Sequence, residues 1–420
     1  MKILFLPAYF YPEQVASSYL GANRFEAFEN ENIDMVVYAP TPTRGVTDDI
    51  RKKYAKKRNE TMYGNKMVVH RFWLYRESKK PLFRAIRYSL QLLKHFNRAV
   101  FSHDARSADV VFLSSTPPIQ GILGSMVKKC SHKKFVYCLQ DIFPDSLVGT
   151  GMAKENGLLW KIGRKIEDFT YRNADRIIVI SDTFKRNIMN KGVPEEKIAV
   201  IYNWVDADAI TPIKRSENPL FEEFNLRRDV FTVVYAGNLG YAQNIDIILD
   251  AAARLSDVQF ALFGTGGREL EIKERIKADN LSNVYLFPLQ SFNRVSQVYG
   301  LGDLCVVSCK QGLGGAAMPS KTWSIMSSGR PVLASFDDGE LKDIISGTSK
   351  SMLPYGACGV FTHAGNLKEF VAAIRELSKD RKRCEIMGNN ARHFIEANLT
   401  KDIGTRKYVE VIRSIINRDL

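Results

Sequence analysis

The chain has 420 residues, 45% of them hydrophobic, so it is long enough for two cores and too long for one typical domain. Its 60 lysines and arginines outnumber its 46 aspartates and glutamates, but residues 51–106 alone hold 16 basic and 3 acidic residues. This concentration excludes a uniformly basic surface and predicts one basic patch, which would suit nucleic acid, phosphate-bearing lipid or an anionic membrane.

In the first half of the chain, short β-rich runs alternate with helical patterns, which predicts parallel strands joined by crossover helices. The first run reaches only Pro7, so it is expected to be a strand rather than a signal peptide or a membrane span. No later stretch of about 18 apolar residues occurs, so no transmembrane helix is expected. The predicted strands are 2–7, 33–39, 68–72, 110–114, 134–139 and 176–181.

A second cycle of the same alternation begins near residue 232. Its predicted strands are 232–236, 259–264, 284–287, 304–308, 331–335 and 359–361. The two cycles predict an α/β chain with an N-terminal Rossmann-like domain over 1–206 and a C-terminal one over 231–395. Residues 207–230 are predicted as a hinge, and 396–420 as a helix that packs back on the N-terminal domain.

The strongest candidate for chemistry is a glycine-rich loop that leads into a helix start. Its glycines leave backbone N–H groups uncovered, and Lys321 follows in the first helical turn. The helix dipole disfavours a cation there, so this lysine indicates an anion, such as a diphosphate, held between it and the amides. The alternative is an ordinary turn with a surface lysine. The candidate ligand-binding residues here are Gly314, Gly315, Met318, Pro319, Ser320 and Lys321.

Two further βα turns follow the predicted strands 232–236 and 259–264. Their glycines permit a ligand to approach the backbone closely, and their amide side chains offer uncharged donors, although any βα turn favours such residues. In a parallel sheet these turns share one edge, where ligands collect. The candidate residues are Gly237, Asn238, Leu239, Gly240, Gln243, Gly264 and Gly266.

In the first domain, Asp141 follows a predicted strand, and Glu13 lies after the first strand. Either carboxylate is a candidate general base or sugar-orienting group, and the alternative for each is a helix cap or loop acid. Asp206 and Asp208 have no third ligand nearby and the six histidines show no metal spacing, so no metal site is expected. The six scattered cysteines are expected to be reduced thiols.

The basic segment has two parts. Residues 51–58 are a run of charge that predicts a mobile loop. Residues 79–98 lack acidic side chains and carry apolar residues at helical spacing, a pattern typical of a cationic helix that binds a membrane interface. The alternative is that the apolar stripe packs on the first domain while the charges face water. The candidate membrane or acceptor contacts are Arg84, Arg87, Lys94 and Arg98.

Several motifs together resemble the family-four retaining nucleotide-sugar glycosyltransferases. They are Tyr11-Pro-Glu13, Gln140-Asp-Ile-Phe-Pro-Asp145, Glu167, Asn203-Trp-Val-Asp206, Gly237-Asn-Leu-Gly240, Met318-Pro-Ser-Lys321 and Ser328-Gly-Arg-Pro-Val-Leu-Ala334. The resemblance spans nearly the whole chain and implies the GT-B fold, in which two Rossmann-like domains face a cleft.

The chain departs from the common family pattern in two places. Ala316 and Ser324 occupy the positions of two glutamates, and Asn238 and Gln243 lie in the loop that usually supplies an arginine and a lysine. These departures resemble a subgroup that transfers N-acetyl-fucosamine and related sugars in bacterial O-antigen, colanic acid and capsule assembly.

The resemblance implies transfer of a sugar, with retention, from a UDP-sugar to a polyprenyl-diphosphate-linked sugar, without metal or other cofactor. Lys321 would stabilise the departing UDP, Gln290 would read the base edge, and Asp141 and Glu13 would face the acceptor. Residues 79–106 would contact the anionic inner face of the bacterial cell membrane, so the enzyme would be cytoplasmic and peripheral, with no nucleic acid as partner.

Two alternatives come from other uses of the same features. A UDP-N-acetylhexosamine epimerase of the same two-domain architecture would also hold a UDP-sugar. A non-catalytic protein could use the basic segment to bind nucleic acid, but its glycine loops would then have no role.

Overall fold

The structure is a computed structural model that describes residues 1–13, 18–78, 80–149, 154–314 and 318–416. The chain divides into two compact units. The first comprises Met1–Tyr202 and the C-terminal helix from Gly404 onward, and the second comprises Asn203–Ile403. Each unit has its own α/β sheet, which confirms the predicted fold class.

Each unit is built on a mainly parallel sheet. The strands are β1 (Lys2–Phe5), β2 (Asp34–Pro40), β3 (Asn59–Met62), β4 (Met67–Phe72), β5 (Val110–Ser114), β6 (Lys134–Leu139), β7 (Arg176–Val179) and β8 (Ile198–Val200) in the first unit, and β9 (Thr232–Asn238), β10 (Gln259–Thr265), β11 (Val284–Phe287), β12 (Leu304–Ser308), β13 (Val332–Phe336) and β14 (Gly359–His363) in the second. Their orders are β3-β4-β2-β1-β5-β6-β7-β8 and β11-β10-β9-β12-β13-β14, with β3 antiparallel to β4. Strand order reverses beside β1 and beside β9, and ligands bind at the carboxyl edge of such a switch point.

Helices cover the sheets. In chain order they are α1 (Ser18–Asn30), α2 (Asp48–Lys56), α3 (Pro81–Phe101), α4 (His103–Arg106), α5 (Gln120–Ser131), α6 (Asp145–Gly149), α7 (Leu158–Asn173), α8 (Asp182–Asn190), α9 (Leu220–Glu223), α10 (Asp246–Ala252), α11 (Glu269–Ala278), α12 (Val295–Gly300), α13 (Ser320–Ser327), α14 (Glu340–Ile345), α15 (Leu367–Leu377), α16 (Arg381–Asn398) and α17 (Lys401–Ile416). In the second unit, α10 and α15 bury Ile248 and Phe370 against Phe260 of β10. Within the described ranges, no helix has both the length and the apolar character needed to cross a bilayer.

The strands predicted from sequence are confirmed to within two residues at each end, but three elements differ. The mobile loop predicted over 51–58 is wrong, because most of it belongs to α2. Thr47 caps this helix, acidic residues lie in its first turn and lysines in its last, so the charges favour the helix dipole. The short strands β3 and β8 were not predicted, because β3 is polar and lies at a sheet edge and β8 has only three residues.

Residues 207–230, predicted as a hinge, belong to the second unit. The Arg215 guanidinium holds this segment on the domain by donating to the Leu301 carbonyl at 2.7 Å, and it ties the segment to itself by donating to the carbonyls of Arg228 and Val230 at 2.7–2.8 Å. At the other end of the chain, α17 lies on the first unit from Gly404 onward. Its Tyr408 is buried there, with the hydroxyl 3.3 Å from the Cys138 sulfur.

Candidate functional site

Three loops of the second unit leave the carboxyl ends of neighbouring strands. The first follows β9, the second follows β10, and the third follows β12 and leads to α13. Because β9 lies between β10 and β12, the three loops meet at the switch point of the sheet. The candidate glycines, amides and lysine predicted from sequence therefore lie at one edge.

The first two loops are packed backbone against backbone. The Leu239 N–H donates to the Thr265 carbonyl at 2.9 Å. A Cβ atom on Gly264 would lie 2.3 Å from the carbonyl oxygen of Gly237, and one on Gly266 would lie 2.5 Å from that of Leu239. These glycines are required for the close approach of the two loops, whether or not they also touch a ligand.

The uncharged amides of the first loop form a small cluster with the third. The Asn238 side-chain amide donates to Gln243 Oε1 at 3.4 Å, and a Cβ on Gly240 would lie 2.7 Å from both side chains. The Ser308 hydroxyl donates to the Gln243 carbonyl at 2.6 Å, which joins the end of β12 to this loop. Asn238 is exposed, so one polar donor of the cluster faces solvent at the sheet edge.

Lys321 is the most unusual group at this edge. Its ammonium nitrogen is buried, lies 4.1 Å from the centre of the Tyr235 ring and has no hydrogen-bond partner among the described residues. It sits 2.7 Å from the position that a Cβ of Gly237 would occupy, so it points at the first loop. Burial lowers its pKa to about 8. An unpaired buried cation is costly unless a ligand of opposite charge completes the site.

Helix α13 presents its N-terminus beside this lysine. The helix begins at Ser320, and the preceding Pro319 makes no side-chain capping bond to it. Met318 and Pro319 are half-buried, and Ser320 is exposed. The Thr322 N–H already donates to the Pro319 carbonyl at 3.0 Å, so the first-turn N–H groups that would add to the attraction of this edge for an anion are those of Ser320 and Lys321.

The sequence predicted that the backbone N–H of Gly314 would face a phosphate, and the structure differs. The Gly314 N–H donates to Asp337 Oδ2 at 2.7 Å, so this donor already has an anionic acceptor within the protein. Gly315 and Ala316 lie outside the described residues.

One residue of this edge, Lys310, was not singled out from the sequence. Lys310 follows β12, is exposed, and places its ammonium nitrogen 6.0 Å from the centre of the Tyr241 ring. Within the part of the chain that the structure describes, Lys310 makes no salt bridge, whereas Arg268 near the same ring is paired with Asp246 at 2.8 Å. Its position two residues after a strand is the signal that could have identified Lys310.

Gln290 was expected to read a base edge with its side chain. The structure engages both ends of that side chain: the amide nitrogen donates to the Pro288 carbonyl at 2.9 Å, and the amide oxygen accepts from Arg294 at 2.8 Å. The structure therefore does not support a base-reading role for Gln290, because its side chain would first have to break its hydrogen bonds to Pro288 and Arg294.

In the first unit, Glu13 holds two loops together. Its carboxylate accepts the backbone N–H groups of Phe10 at 3.0 Å, Thr43 at 2.7 Å and Arg44 at 2.9 Å. The side chain is buried, and burial raises its pKa against the effect of these three donors. These contacts fit a carboxylate that joins two loops better than a general base that the hydroxyl of an acceptor sugar could reach.

We expect Glu13→Gln to lower the free energy of unfolding by about 1–3 kcal/mol, because the new amide group would oppose the Phe10 N–H and leave a buried donor unpaired. Urea unfolding of the full chain measures this. Asp141→Asn, at an exposed carboxylate, is the matched substitution and should change stability little. If Glu13→Gln abolished turnover but left the free energy of unfolding unchanged, Glu13 would instead be a candidate catalytic group.

Asp141 remains an accessible carboxylate at the carboxyl edge of the first sheet. It is exposed, and its Oδ2 accepts from the Ser146 hydroxyl at 3.1 Å. It lines a small cavity with Phe143, Tyr137 and Glu167. Of the two carboxylates predicted from sequence, Asp141 is the one that a ligand can reach without unfolding a loop.

The predicted contribution of Arg87 to a membrane or acceptor contact is wrong. Its side chain is fully buried, with Nε donating to the Tyr75 carbonyl at 3.1 Å and an NH group donating to Gln91 Oε1 at 3.3 Å. Arg98 is exposed, and Arg84 and Lys94 are partly exposed. Most of the apolar side of α3 faces away from the unit, because Leu82, Phe83, Ile86, Leu90 and Leu93 are exposed, whereas Leu92 and Phe96 pack against the core, as the alternative expected.

No group of three or more His, Cys, Asp or Glu side chains in the described ranges is arranged to hold a metal ion. Asp206 instead accepts the backbone N–H of Ala209 at 2.9 Å, which is a local turn contact.

The chain matches two family models, one in each half. The model described as Glycosyltransferase Family 4 matches residues 25–209, and the model described as Glycosyl transferases group 1 matches residues 216–394. The two matches do not overlap, and together they span most of both units.

Two curated relatives are glycosyltransferases by name. The chain is 25% identical over 294 residues to WcaI of Escherichia coli (strain K12), which is named for colanic acid biosynthesis; the match covers 69% of the chain and 70% of that protein. It is 28% identical over 254 residues to WbjE of Pseudomonas aeruginosa, covering 58% of the chain and 62% of that protein, so the match spans less than two thirds of WbjE.

Solved structures share the architecture across the whole chain. Anabaena HepE, crystallised with UDP, superposes with a TM-score of 0.72 at 16% identity, covering 99% of this chain and 100% of HepE. At this identity the likeness is one of fold, which is that of the GT-B glycosyltransferases. The chain is therefore a glycosyltransferase of the GT-B fold, with a family 4 domain in its N-terminal half and a group 1 domain in its C-terminal half.

Proposed function

We propose that this glycosyltransferase moves a sugar from a UDP-sugar to a polyprenyl-diphosphate-linked sugar in the assembly of a bacterial surface polysaccharide. The observation that carries the proposal is the buried Lys321 ammonium, which lies against the glycine loop at Gly237 without a partner among the described residues. A buried cation beside bare backbone and a helix N-terminus is suited to a phosphate-bearing ligand. The diphosphate of a UDP-sugar supplies that charge.

Relatives support both sides of the reaction. HepE has been crystallised with UDP and with UDP-glucose, which favours a uridine nucleotide donor. WcaI is named for colanic acid biosynthesis, and the galactosyltransferase WaaB for the lipopolysaccharide outer core, which favours a bacterial polysaccharide product. The epimerase and nucleic-acid alternatives are weaker, because both matching family models describe glycosyltransferases.

The donor half of the mechanism follows from charge. As the bond between the anomeric carbon and the UDP oxygen breaks, negative charge develops on the leaving diphosphate. Lys321 and the first turn of α13 would stabilise that charge, and a preorganised site does so without reorganising solvent. The loop at Gly237–Gly240 and the turn at Gly264–Gly266 would hold the remainder of the donor close to the backbone.

The acceptor half is assigned to the first unit. Of the two candidate carboxylates, Glu13 and Asp141, Asp141 is the accessible one and would orient or deprotonate the acceptor hydroxyl. A polyprenyl-diphosphate acceptor is anchored in a bilayer, so the enzyme would work at the cytoplasmic face of the bacterial membrane. N-acetyl-fucosamine or another N-acetylated deoxyhexose is the proposed sugar, transferred with retention and without metal.

A donor screen tests this function. Purified full-length protein is given single UDP-sugars with a crude lipid extract from a polysaccharide-producing bacterium, and UDP release is measured with and without EDTA. We expect lipid-dependent UDP release for one N-acetylated donor, unaffected by EDTA, and an α-linked product by NMR from an α-linked donor. GDP-sugars and dTDP-sugars are supplied in parallel, and lipid-dependent nucleotide release from one of them, with none from any UDP-sugar, would contradict the donor assignment.

The same reactions without lipid test the epimerase. A transferase leaves the sugar of the UDP-N-acetylhexosamine unchanged, whereas an epimerase converts it. Conversion without acceptor would replace the proposed reaction by epimerisation.

UDP binding should weaken as the pH rises above about 8, because Lys321 then loses the proton that pairs with the diphosphate. Its folded pKa lies below the usual 10.5, so in ligand-free protein the charged form costs stability below pH 8, and that cost disappears as the pH rises toward 10.5. Calorimetric UDP titrations between about pH 7 and 9.5 should show up to tenfold weakening per pH unit above 8. Lys321→Met should remove this dependence; an identical pH profile in both proteins would contradict it.

A further inference from the structure

Helix α3 packs on the first unit through a row of mainly polar residues, with Leu92 and Phe96 packed against the core beside it. Arg87, Gln91, His95 and Ala99, spaced one turn apart, are its buried residues. His95 Nε2 lies 2.8 Å from the Tyr38 carbonyl oxygen, so the inner face is held by polar contacts to the sheet as well as by packing. Burial lowers the pKa of His95 to about 3, so it is neutral and adds no charge.

The opposite face of α3 is apolar and uncovered. Its large apolar side chains are 39–69% exposed. None of them is among the partly buried hydrophobic residues that pack against the core of the first unit. Contiguous exposed apolar side chains on a helix mark an interaction surface. These residues are Leu82, Phe83, Ile86, Leu90 and Leu93, and Phe101 at the end of the helix is also exposed.

The charges along this helix have one sign. No acidic residue occurs between Glu77 and Asp104 in the sequence, while Lys80, Arg84, Lys94 and Arg98 are basic and at least partly exposed. Basic residues beside an apolar stripe are the pattern by which a helix lies in the headgroup region of an anionic bilayer.

A second apolar patch lies on α7 of the same unit. Leu158, Leu159 and Ile162 are exposed in its first turns, and Lys161 and Lys165 beside them are exposed and basic. Helix α5 packs against both α3 and α7, which places the two patches on one side of the sheet. Both helices follow strands whose carboxyl ends share one edge, so the N-terminal ends of the two helices, where Leu82 and Leu158 lie, are toward that same edge.

We propose that the exposed faces of α3 and of the first turns of α7 form one docking surface for an anionic lipid bilayer. This inference deepens the proposed function and rests on it, because it names the surface by which the enzyme would reach a lipid-linked acceptor. A second copy of the chain is the poorer occupant, since two such surfaces would bring like charges together; residues 51–106 carry 16 basic against 3 acidic residues.

Vesicle co-sedimentation of the full-length protein tests the surface. Ile86→Glu/Leu90→Glu changes α3, and Leu158→Glu/Ile162→Glu changes α7. The matched control is Ile386→Glu/Leu270→Glu, which makes the same substitutions at exposed positions of the second unit. We expect the wild type and the control to bind phosphatidylglycerol–phosphatidylethanolamine vesicles, and each of the other variants to lose about tenfold or more in partition coefficient. Phosphatidylcholine vesicles should bind all proteins weakly.

UDP affinity and sedimentation velocity without lipid complete the experiment. All three variants should keep wild-type UDP affinity, which shows that the fold and the donor site are intact. A wild type that binds UDP but not anionic vesicles would overturn the docking surface and leave the donor assignment standing, whereas loss of UDP binding in the wild type would strike the proposed function itself. Equal vesicle binding by all proteins, or a wild-type dimer that Ile86→Glu/Leu90→Glu dissociates, would also overturn the proposal.

Discussion

Lys321→Met is expected to lower the turnover of the UDP-sugar by about 100-fold or more, a loss typical of removing one group that stabilises developing negative charge. The same substitution should raise the stability of ligand-free protein by about 1–2 kcal/mol. The lysine ammonium is buried without a hydrogen-bond partner in the described part of the chain, and methionine of similar length removes that cost. The opposed signs of the two effects distinguish a ligand-binding lysine from a structural one.

The measurement pairs UDP-release kinetics with thermal unfolding in the absence and presence of UDP. Lys342→Met is the matched control, because Lys342 lies in the same unit, on α14, and pairs with Asp338 at the surface. The control should keep turnover, and UDP should stabilise it as it stabilises the wild type. Near-normal turnover of Lys321→Met, or a large loss of its stability, would remove the assigned role.

Gly266→Ala is expected to weaken UDP binding by about tenfold or more and to lower the free energy of unfolding by about 1–3 kcal/mol. The added methyl group would lie 2.5 Å from the Leu239 carbonyl oxygen and 2.6 Å from Asn238 Oδ1, so the loops after β9 and β10 would have to separate. Separation moves backbone that is proposed to contact the donor. The effect is therefore expected in binding as well as in stability.

The neighbouring glycine provides the comparison for stability. A Cβ on Gly267 would meet only the Tyr241 ring, at 3.8 Å, so Gly267→Ala should leave the urea midpoint unchanged. Gly21→Ala in the first unit, whose nearest contacts would be 3.9 Å away, serves as the control for UDP affinity. If Gly266→Ala matches these controls in both measurements, the close packing of the two loops has no bearing on donor binding.

The two units manage charge in different ways. In the second unit, the proposed donor edge has Lys321, the exposed Lys310 and uncharged backbone, while Arg268 is neutralised by Asp246 and Glu271. Such an edge would attract one diphosphate without a large field. In the first unit, Lys80 and Arg98 are exposed along α3 beside apolar side chains, while Arg84 pairs with Glu77 at 3.1 Å, and the proposed ligand of this face is a bilayer rather than a small anion.

Local sequence was sufficient to place every strand of the two sheets except β3 and β8, together with the loops that follow the predicted strands. Strands such as β9 and β12 are continuous apolar runs because both faces of a parallel sheet are covered, and glycines mark the turns at their carboxyl ends. It was not sufficient to tell which donors remain free. The Gly314 N–H is taken by Asp337 and the Gln290 side chain by Arg294, and both partners are contributed by the folded loops rather than by the motif itself.

What the sequence by itself determined is the two-domain α/β architecture, the edge at which the glycine loops and Lys321 gather, and the cationic amphipathic character of α3. Only the tertiary structure decided which way that helix faces. Arg87 and His95 can turn inward because the carbonyls of Tyr75 and Tyr38 are there to receive them. Those acceptors lie on other elements, so no periodicity within α3 could distinguish an apolar face that is buried from one that is left to meet a membrane.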